Sequence, residues 1–255
     1  MKLHLTGGKV RDHLLKMDTS KADLDFAVEA NSFDEMLEDL VARGLVVWQA
    51  RPQFVTVRGQ MPRRALGSFG GLLPPTSDHE RKTGRVMVAA DFTLCRAETM
   101  YSDGRHPDTV TPTDLVTDLK RRDFTVNAVA VSEDGLWTDP FDGSVHCANR
   151  HLRTVGNPWD RFMEDPLRML RAWRFAVTRQ LTVANSLVES LHPCAKLLTR
   201  DVVSVERVRD ELHKGLKHNW YLGMSWLTGM PFYAVGAQVA HEFPELWVRP
   251  TLEDK

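Results

Sequence analysis

Two aspartates separated by one residue, Asp23 and Asp25, sit inside the apolar stretch KADLDFAV. On an extended strand alternate side chains share a face, so both carboxylates fall on one side, about 7 Å apart. Like charges that close raise each other's proton affinity unless a cation stands between them. A third carboxylate, Asp91, lies in VAADFTLCR, another strand-like run. Three carboxylates on neighbouring strands can hold two Mg2+ ions, with Asp23 and Asp25 as ligands. Such ions would activate a ribose 3′-hydroxyl and neutralise a triphosphate. A lone D-x-D is equally the pattern of a solvated strand face, so the motif needs companions.

Three other stretches offer cations. TGGKVRD (Thr6 to Asp12) follows a strand and opens a helix. Its adjacent glycines let backbone N–H groups approach a phosphate, the helix N-terminus favours the anion, and Arg11 adds a fixed positive charge. The same glycines also suit an ordinary turn. KRRDFTVNAVA (Lys120 to Ala130) places three cations before an apolar segment. They could grip a triphosphate or form a solvated charge run. In EDPLRMLRAWRFA (Glu164 to Ala176), 100° per residue puts Leu167 and Leu170 on one side with Met163 and Val177. Arg161, Asp165, Arg168 and Ala172 fall opposite, with Arg171 at the edge. Asp165 and Arg168, i and i+3, offer acceptors beside a donor fork. That suits a nucleobase edge, or a plain intrahelical ion pair. Arg174 falls on the apolar side, where a lone charge is costly, so it calls for a partner or a phosphate. Seven arginines between Arg150 and Arg179 face only Asp160, Glu164 and Asp165, an excess that an RNA or triphosphate partner would explain.

The elements that must position these residues follow from periodicity. KLHLTGG reads as a strand and KVRDHLLKM as a helix; SFDEMLEDLVARG reads as a helix capped by Ser32 with Glu35 and ended by Gly44. LVVWQA, QFVTVRG and GRVMVAADFTLCR read as strands, with a Gly/Pro-rich loop (GSFGGLLPPTSDHERKTG) between the last two. YSDGRHPDTVTPTD reads as a second polar loop, and FTVNAVAVSEDGLWTDPFDG as a helix-to-strand piece with turns at Asp134-Gly135 and Asp142-Gly143. From about Asp160 the pattern turns helical. The expected domains are 1–150, built on a sheet, and 151–255, built of helices.

The 255 residues are 42% hydrophobic and 26% charged, ordinary for one or two globular domains. No run is long and apolar enough to span a membrane. The N-terminus MKLHLTGGKVRD reaches glycine and charge too early for a secretory signal. Cys95, Cys147 and Cys194 match neither a disulfide framework nor a zinc site, so a cytoplasmic setting is the default. A net charge of −1 gives no global basic field, so any nucleic acid must be held by local patches.

GGKVRD, DLDFAV, DFTLCR, RRDFTVNA, DPFDG and EDPLRMLRAWRFA, in this order, resemble the head and neck motifs of the class II tRNA nucleotidyltransferase/poly(A) polymerase family of the polymerase β-like superfamily. VSVERVRDELHKGL (Val203 to Leu216) resembles the next neck helix and FPEL (Phe243 to Leu246) the end of a later helical pair. The resemblance implies an α+β fold: a polymerase β-like head, with a mixed sheet and flanking helices, then a helical neck and a short helical body. It implies that Asp23 and Asp25 bind catalytic Mg2+ and that Asp91 faces the primer hydroxyl. Gly8, Arg11 and Arg122 would hold the triphosphate. Asp165 and Arg168 would read the Watson–Crick edge of CTP or ATP, supported by Arg171 and Arg174. The implied reaction adds C and A residues to tRNA 3′ ends without a nucleic-acid template. Alternatives are A-addition, poly(A) synthesis, transfer to another RNA acceptor, or an inactive RNA-binding module. The chain departs from the family's pattern at Lys16, where glycine is usual, and at Asp91, where glutamate is frequent.

Overall fold

The computed structural model describes residues 1–73, 86–99 and 109–247. They divide into two compact units, Met1–Thr99 with Thr109–Asn149, and a second from Arg150 onward.

The first unit is built on a seven-stranded mixed sheet of order β3-β4-β5-β2-β1-β8-β9. Its strands are β1 (Lys2–Thr6), β2 (Asp25–Glu29), β3 (Val46–Arg51), β4 (Thr56–Pro62), β5 (Met87–Leu94), β8 (Ala130–Ser132) and β9 (Trp137–Thr138). Only β2 and β5 run parallel within it. One face carries the apolar alternates Leu3, Leu5, Phe26, Val28, Val57, Met61, Phe92 and Leu94, all buried. Phe26 stacks on Phe92 at 5.1 Å between centroids and meets Phe69 at the same distance. Helices α1 (Gly8–Leu14) and α2 (Phe33–Ala42) bring Val10, Met36 and Leu40 into this core. Each large apolar side chain fully buried there contributes roughly 1.5–3 kcal/mol.

The helix ends follow their sequence signals. Ser32 Oγ accepts the Glu35 amide at 3.0 Å, and Glu35 reaches back to the Asn31 amide at 3.0 Å. α1 closes with Lys16 N–H donating to His13 O and Met17 N–H to Asp12 O, the paired bonds of a Schellman turn. That turn needs a left-handed residue, and Lys16 has φ 57°. Glycine takes this conformation without strain, which gives a backbone cause for the glycine that the resemblance leads one to expect here.

On the second face, α3 (Leu115–Lys120) and the turn Thr125–Asn127 bring in Leu119, Phe124 and Val126, and Ala27 of β2 is buried. The β3–β5 half of that face stays open among the described residues, with Arg58, Met87 and Ala89 exposed. The stretch expected as a polar loop at 101–114 contains a strand instead. β7 (Thr109–Pro112) pairs with β6 (Arg96–Thr99) in a separate ribbon. Its β-branched Thr-Val-Thr favours extension over a loop. Residues 101–108 of that stretch, and 74–84 of the Gly/Pro-rich one, lie outside the described residues.

The second unit is helical: α5 (Pro158–Glu164), α6 (Leu167–Arg179), α7 (Asn185–Cys194), α8 (Val205–His218), α9 (Trp220–Leu227) and α10 (Tyr233–Glu242), preceded in sequence by α4 (Gly143–Ala148) of the first unit. α6 is central and buried on nearly all sides; Ala172, expected on a polar face, is buried with Met169, Trp173 and Ala176. Trp173 donates to Gly223 O at 3.1 Å. A Cβ on Gly215 would come within 2.4 Å of its ring, so Gly215 lets α8 close on α6. Expectation and structure differ at Asp165-Pro166, where one helix becomes two. The residue before a proline is driven out of the helical region, and Asp165 has φ −151°, ψ 101°. Among the described residues no helix is long and apolar enough to cross a membrane.

Two substitutions test this packing by urea unfolding. Lys16→Gly relieves a left-handed lysine and stabilises the first unit by about 0.5–1 kcal/mol. Gly215→Ala gains helix propensity of about 1 kcal/mol yet drives a methyl into Trp173, and is expected to destabilise the second unit by about 1–3 kcal/mol net.

Candidate active site

β1 delivers Thr6 opposite Asp25 in the antiparallel register. The chain then turns at Gly7 (φ 71°, ψ −138°), and a Cβ there would stand 3.2 Å from Asp25 Oδ2. Only glycine lets the backbone turn into α1 this close to the carboxylate. Gly8 is the first residue of α1. Across the parallel pair, Asp25 is in register with Asp91, and across the next pair Asp91 is in register with Arg58. Asp25 and Asp91 thus share one face. Asp23 precedes the strand rather than lying in it, because the chain turns at Ser20-Lys21 and pairs regularly only from Asp25. Leu24 O nevertheless accepts the Asp91 amide at 2.9 Å, so the approach to β2 already lies beside β5. Asp23 is exposed and Asp25 half-buried.

Burial pushes the Asp25 carboxyl up, and the charges of Asp91 and then Asp23 push it further; Arg122 and Arg11 pull the other way. Asp91 is also raised, chiefly by burial and with Asp23 adding to it, against Arg58 and Arg51. The carboxylates repel as the D-x-D pattern requires, and a cation among them would relieve that repulsion. Their all-oxygen donor set suits a hard divalent ion. Among the described residues no three His, Cys, Asp or Glu side chains gather closely enough to cage an ion alone. The side chains that would hold it are Asp23 and Asp25, with Asp91 adjacent.

A second layer of charge fixes Arg122. Its Nη1 donates to Thr6 Oγ1 at 2.7 Å and Asn127 O at 3.0 Å, and its Nη2 to Asp118 Oδ2 at 3.1 Å. Asp118 is 2% exposed and also takes Arg121 Nη2 at 2.7 Å. Burial would push Asp118 up, but Arg121 and Arg122 reverse it and hold the carboxyl low. The cation run Lys120–Arg122 is therefore partly structural. Arg11 is only 6% exposed and donates to Asp12 Oδ1 at 2.7 Å and Asn127 Oδ1 at 2.9 Å. Its guanidinium acts on Asp25 through its field, from a buried and hydrogen-bonded position.

In the second unit, Asp165 and Arg168 do not pair with each other. Asp165 Oδ1 accepts the Leu167 amide at 3.1 Å, and its Oδ2 accepts Arg207 Nη2 at 2.7 Å. Arg168 Nη1 donates to Glu164 Oε2 at 2.6 Å and to Arg161 O at 3.2 Å. Arg161 also binds Glu164. Arg171 approaches Glu211 Oε1 at 3.7 Å, while Arg174 bonds Glu211 directly and lies 4.1 Å over the Phe175 ring. Much of the arginine excess read from the sequence is thus met by Glu164 and Glu211. Two further participants carry signals in the sequence. Glu211 stands on the apolar stripe Val208, Leu212, Gly215, and Asp118 on the stripe Leu115, Leu119. A buried acid on such a stripe demands a cation. Arg207 and Asn127 had no comparable signal.

The chain matches the family model described as "Poly A polymerase head domain" over residues 76–153. It is 42% identical over 149 residues to a CCA-adding enzyme of Levilactobacillus brevis, covering 56% of this chain and 37% of that one. It is 31% identical over 258 residues to a CCA-adding enzyme of Lactobacillus helveticus, covering 98% of this chain and 56% of that one. The chain therefore spans between about a third and just over half of these relatives' length. Its fold superposes on the Bacillus stearothermophilus CCA-adding enzyme solved with CTP, at TM-score 0.65 and 29% identity, covering 86% of this chain and 45% of that one.

Two carboxylates of the first unit, half-buried Asp25 and buried Asp118, are shifted in opposite senses. Asp25, raised in the fold, lowers stability once pH exceeds its unfolded value, and fully so above its folded one. Asp118, depressed in the fold, adds stability above its unfolded value that is lost as pH falls through its folded one. In chelator at neutral pH, Asp25→Asn is expected to raise the unfolding midpoint. Asp118→Asn, which removes the buried charge facing Arg121 and Arg122, is expected to lower it, with a stability loss of about 3 kcal/mol or more. Both differences shrink on acidification below the carboxylate range, as thermal melts across pH will read.

Proposed function

Because the chain belongs to the class II tRNA nucleotidyltransferase/poly(A) polymerase family, we propose that it transfers CMP and AMP from CTP and ATP to the 3′ end of tRNA. The observation that carries this reading is the in-register pair Asp25–Asp91 beside Asp23, on a sheet whose adjoining helix opens at Gly7-Gly8. In this reading the first unit is the catalytic head and the second the neck and a body-like part.

Such nucleotidyltransferases use divalent metal, and we take it here to be Mg2+, which when bound would neutralise the triphosphate and acidify the attacking hydroxyl. Asp23 and Asp25 would hold it. The α1 amides from Gly8 and the Arg122 guanidinium grip the triphosphate, while Arg11 keeps α1 and Asn127 in place behind them. Asp91 faces the acceptor's terminal ribose and takes the proton of its 3′-hydroxyl. That oxygen bonds to the α-phosphorus as the α–β bridging bond breaks and pyrophosphate leaves. Asp165 and Arg168 choose the base. An acceptor beside a donor meets the amino group and ring nitrogen that cytosine and adenine share, whereas uracil and guanine present the reverse. Since Arg207 holds Asp165 and Glu164 holds Arg168, the readers are oriented before a base arrives.

Labelled CTP or ATP offered with tRNA transcripts lacking CCA, CA or A tests the reaction and separates full CCA addition from A-addition alone. Asp25→Ala is expected to abolish incorporation while the fold persists; retained incorporation would remove the metal assignment. Arg168→Ala should lower kcat/KM for CTP and ATP and narrow the gap to UTP and GTP by about tenfold or more. Wild-type discrimination in that variant would make Arg168 a phosphate ligand instead.

A further inference from the structure

We propose that the open β3–β5 half of the first unit's sheet seats the single-stranded 3′ end of the RNA acceptor, with Trp48 and Phe54 as stacking platforms and Arg51 and Arg58 as phosphate contacts. This rests on the reading of the site as a nucleotidyl transferase. The register draws the track. Asp25, Asp91 and Arg58 lie in one row across β2, β5 and β4, and the row continues to Gln49 on β3. Arg51 is paired with Thr56, which is itself paired with Thr93 two residues beyond Asp91. Adjacent strands are about 4.8 Å apart, so Arg58 is one strand and β3 two strands, about 10 Å, from Asp91. A chain whose last hydroxyl meets Asp91 would run its preceding phosphates over these arginines.

The charge fits that occupant. From Leu40 to Ser77 there is no Asp or Glu, while Arg43, Arg51, Arg58, Arg63 and Arg64 stand within it, in a chain of net charge −1. Arg43 is held by Glu133 and Arg63 by the Leu66 and Gly67 carbonyls, but Arg51, Arg58 and Arg64 are exposed. Arg58 rests near Asp91, Nε to Oδ1 3.7 Å, too long for a hydrogen bond, and a phosphate could draw it away. The apolar side chains fit as well. β3 is exposed along its whole length, with Trp48 54% and Phe54 43% exposed. Trp48 falls where the β3–β4 register shifts, the kind of irregularity that re-aims a side chain beside a functional site. The hairpin tip that carries Phe54 is pinned by Arg96 Nη1 donating to Phe54 O at 2.7 Å. Exposed aromatics interleaved in sequence with arginines along a sheet edge are the grammar of single-strand binding, where stacking tolerates any base.

The test is binding of a short fluorescein-labelled single-stranded RNA in chelator without nucleotide, across a salt series, beside steady-state KM values for tRNA and CTP. Trp48→Ala is expected to weaken RNA binding about tenfold, to raise the tRNA KM and to leave the CTP KM within about twofold; Trp48→Phe should restore binding. Arg51→Gln with Arg58→Gln should reduce the salt slope by about 1.4, two single-strand phosphates. Parental affinity and slope in both variants would overturn the track, whether the surface then proves bare or holds a protein. If the parent protein transfers no nucleotide, the parent reading fails, and the binding arm still decides the track.

Discussion

Asp25 is a half-buried carboxylate facing a second one across the parallel β2–β5 pair, and the first unit is arranged around keeping it there. Burial and like charge both favour its neutral form, in which it would be a poor ligand for a cation. Two things oppose that. Arg122 is locked within reach by Asp118, Thr6 and Asn127, and Arg11 is locked by Asp12 and Asn127. Asn127 joins the two systems, offering its carbonyl to Arg122 and its side-chain oxygen to Arg11. The positive field at Asp25 is therefore built from groups that cannot swing away. The remaining repulsion among Asp23, Asp25 and Asp91 is what a bound cation would relieve. A site that is unfavourable when empty and relieved when filled trades stability for function.

The second unit handles charge differently. Its acids act as braces: Glu211 of α8 takes two arginines of α6, and Arg207, one turn earlier on α8, takes Asp165. Because Pro166 breaks the helix, Asp165 stands at a joint between α5 and α6 and would be loose without that hold. Trp173, seated over Gly215 and Gly223, sets how closely α8 and α9 approach α6, and so sets where Arg207 and Glu211 stand. A packing contact among apolar atoms thus controls the direction of polar groups at the far edge of the same helix pair.

Much of this was legible because local rules agree with the fold. The Ser32 cap and the left-handed turn at Lys16 each reflect a backbone constraint that acts within a few residues, whereas the D-x-D parity does not carry over, because β2 begins only at Asp25. Asp25 and Asp91 meeting in register was not legible, since pairing between residues far apart in sequence leaves no local trace. The helix through Asp165 was misread because periodicity outvoted the proline; the steric clash of Pro166 with the preceding residue is the stronger effect. Arg174 was seen to need a partner, and Glu211 carried the matching anomaly on its own apolar stripe. Two charges on two apolar faces are one observation when taken together, and taken singly each looks like noise.

That lesson bears on where nucleic acid would be held. Arginine counts pointed to the run from Arg150 to Arg179, yet Glu164 and Glu211 meet several of those charges. The acid-free run from Leu40 to Ser77 gives a weaker sequence signal, because its arginines are spread along it. The sheet assembles them: β4 brings Arg58 into the row of Asp25 and Asp91, and β3 adds Arg51 and Trp48 beyond it. One half of the second face is covered by α3 and the Thr125–Asn127 turn, which hold Arg122 toward the carboxylates, and among the described residues of the first unit the other half is open. A sheet face so divided would separate the two demands of strand-end chemistry. A polyphosphate needs rigid cations fixed from behind, whereas a polymer that must advance by one residue needs exposed, exchangeable contacts.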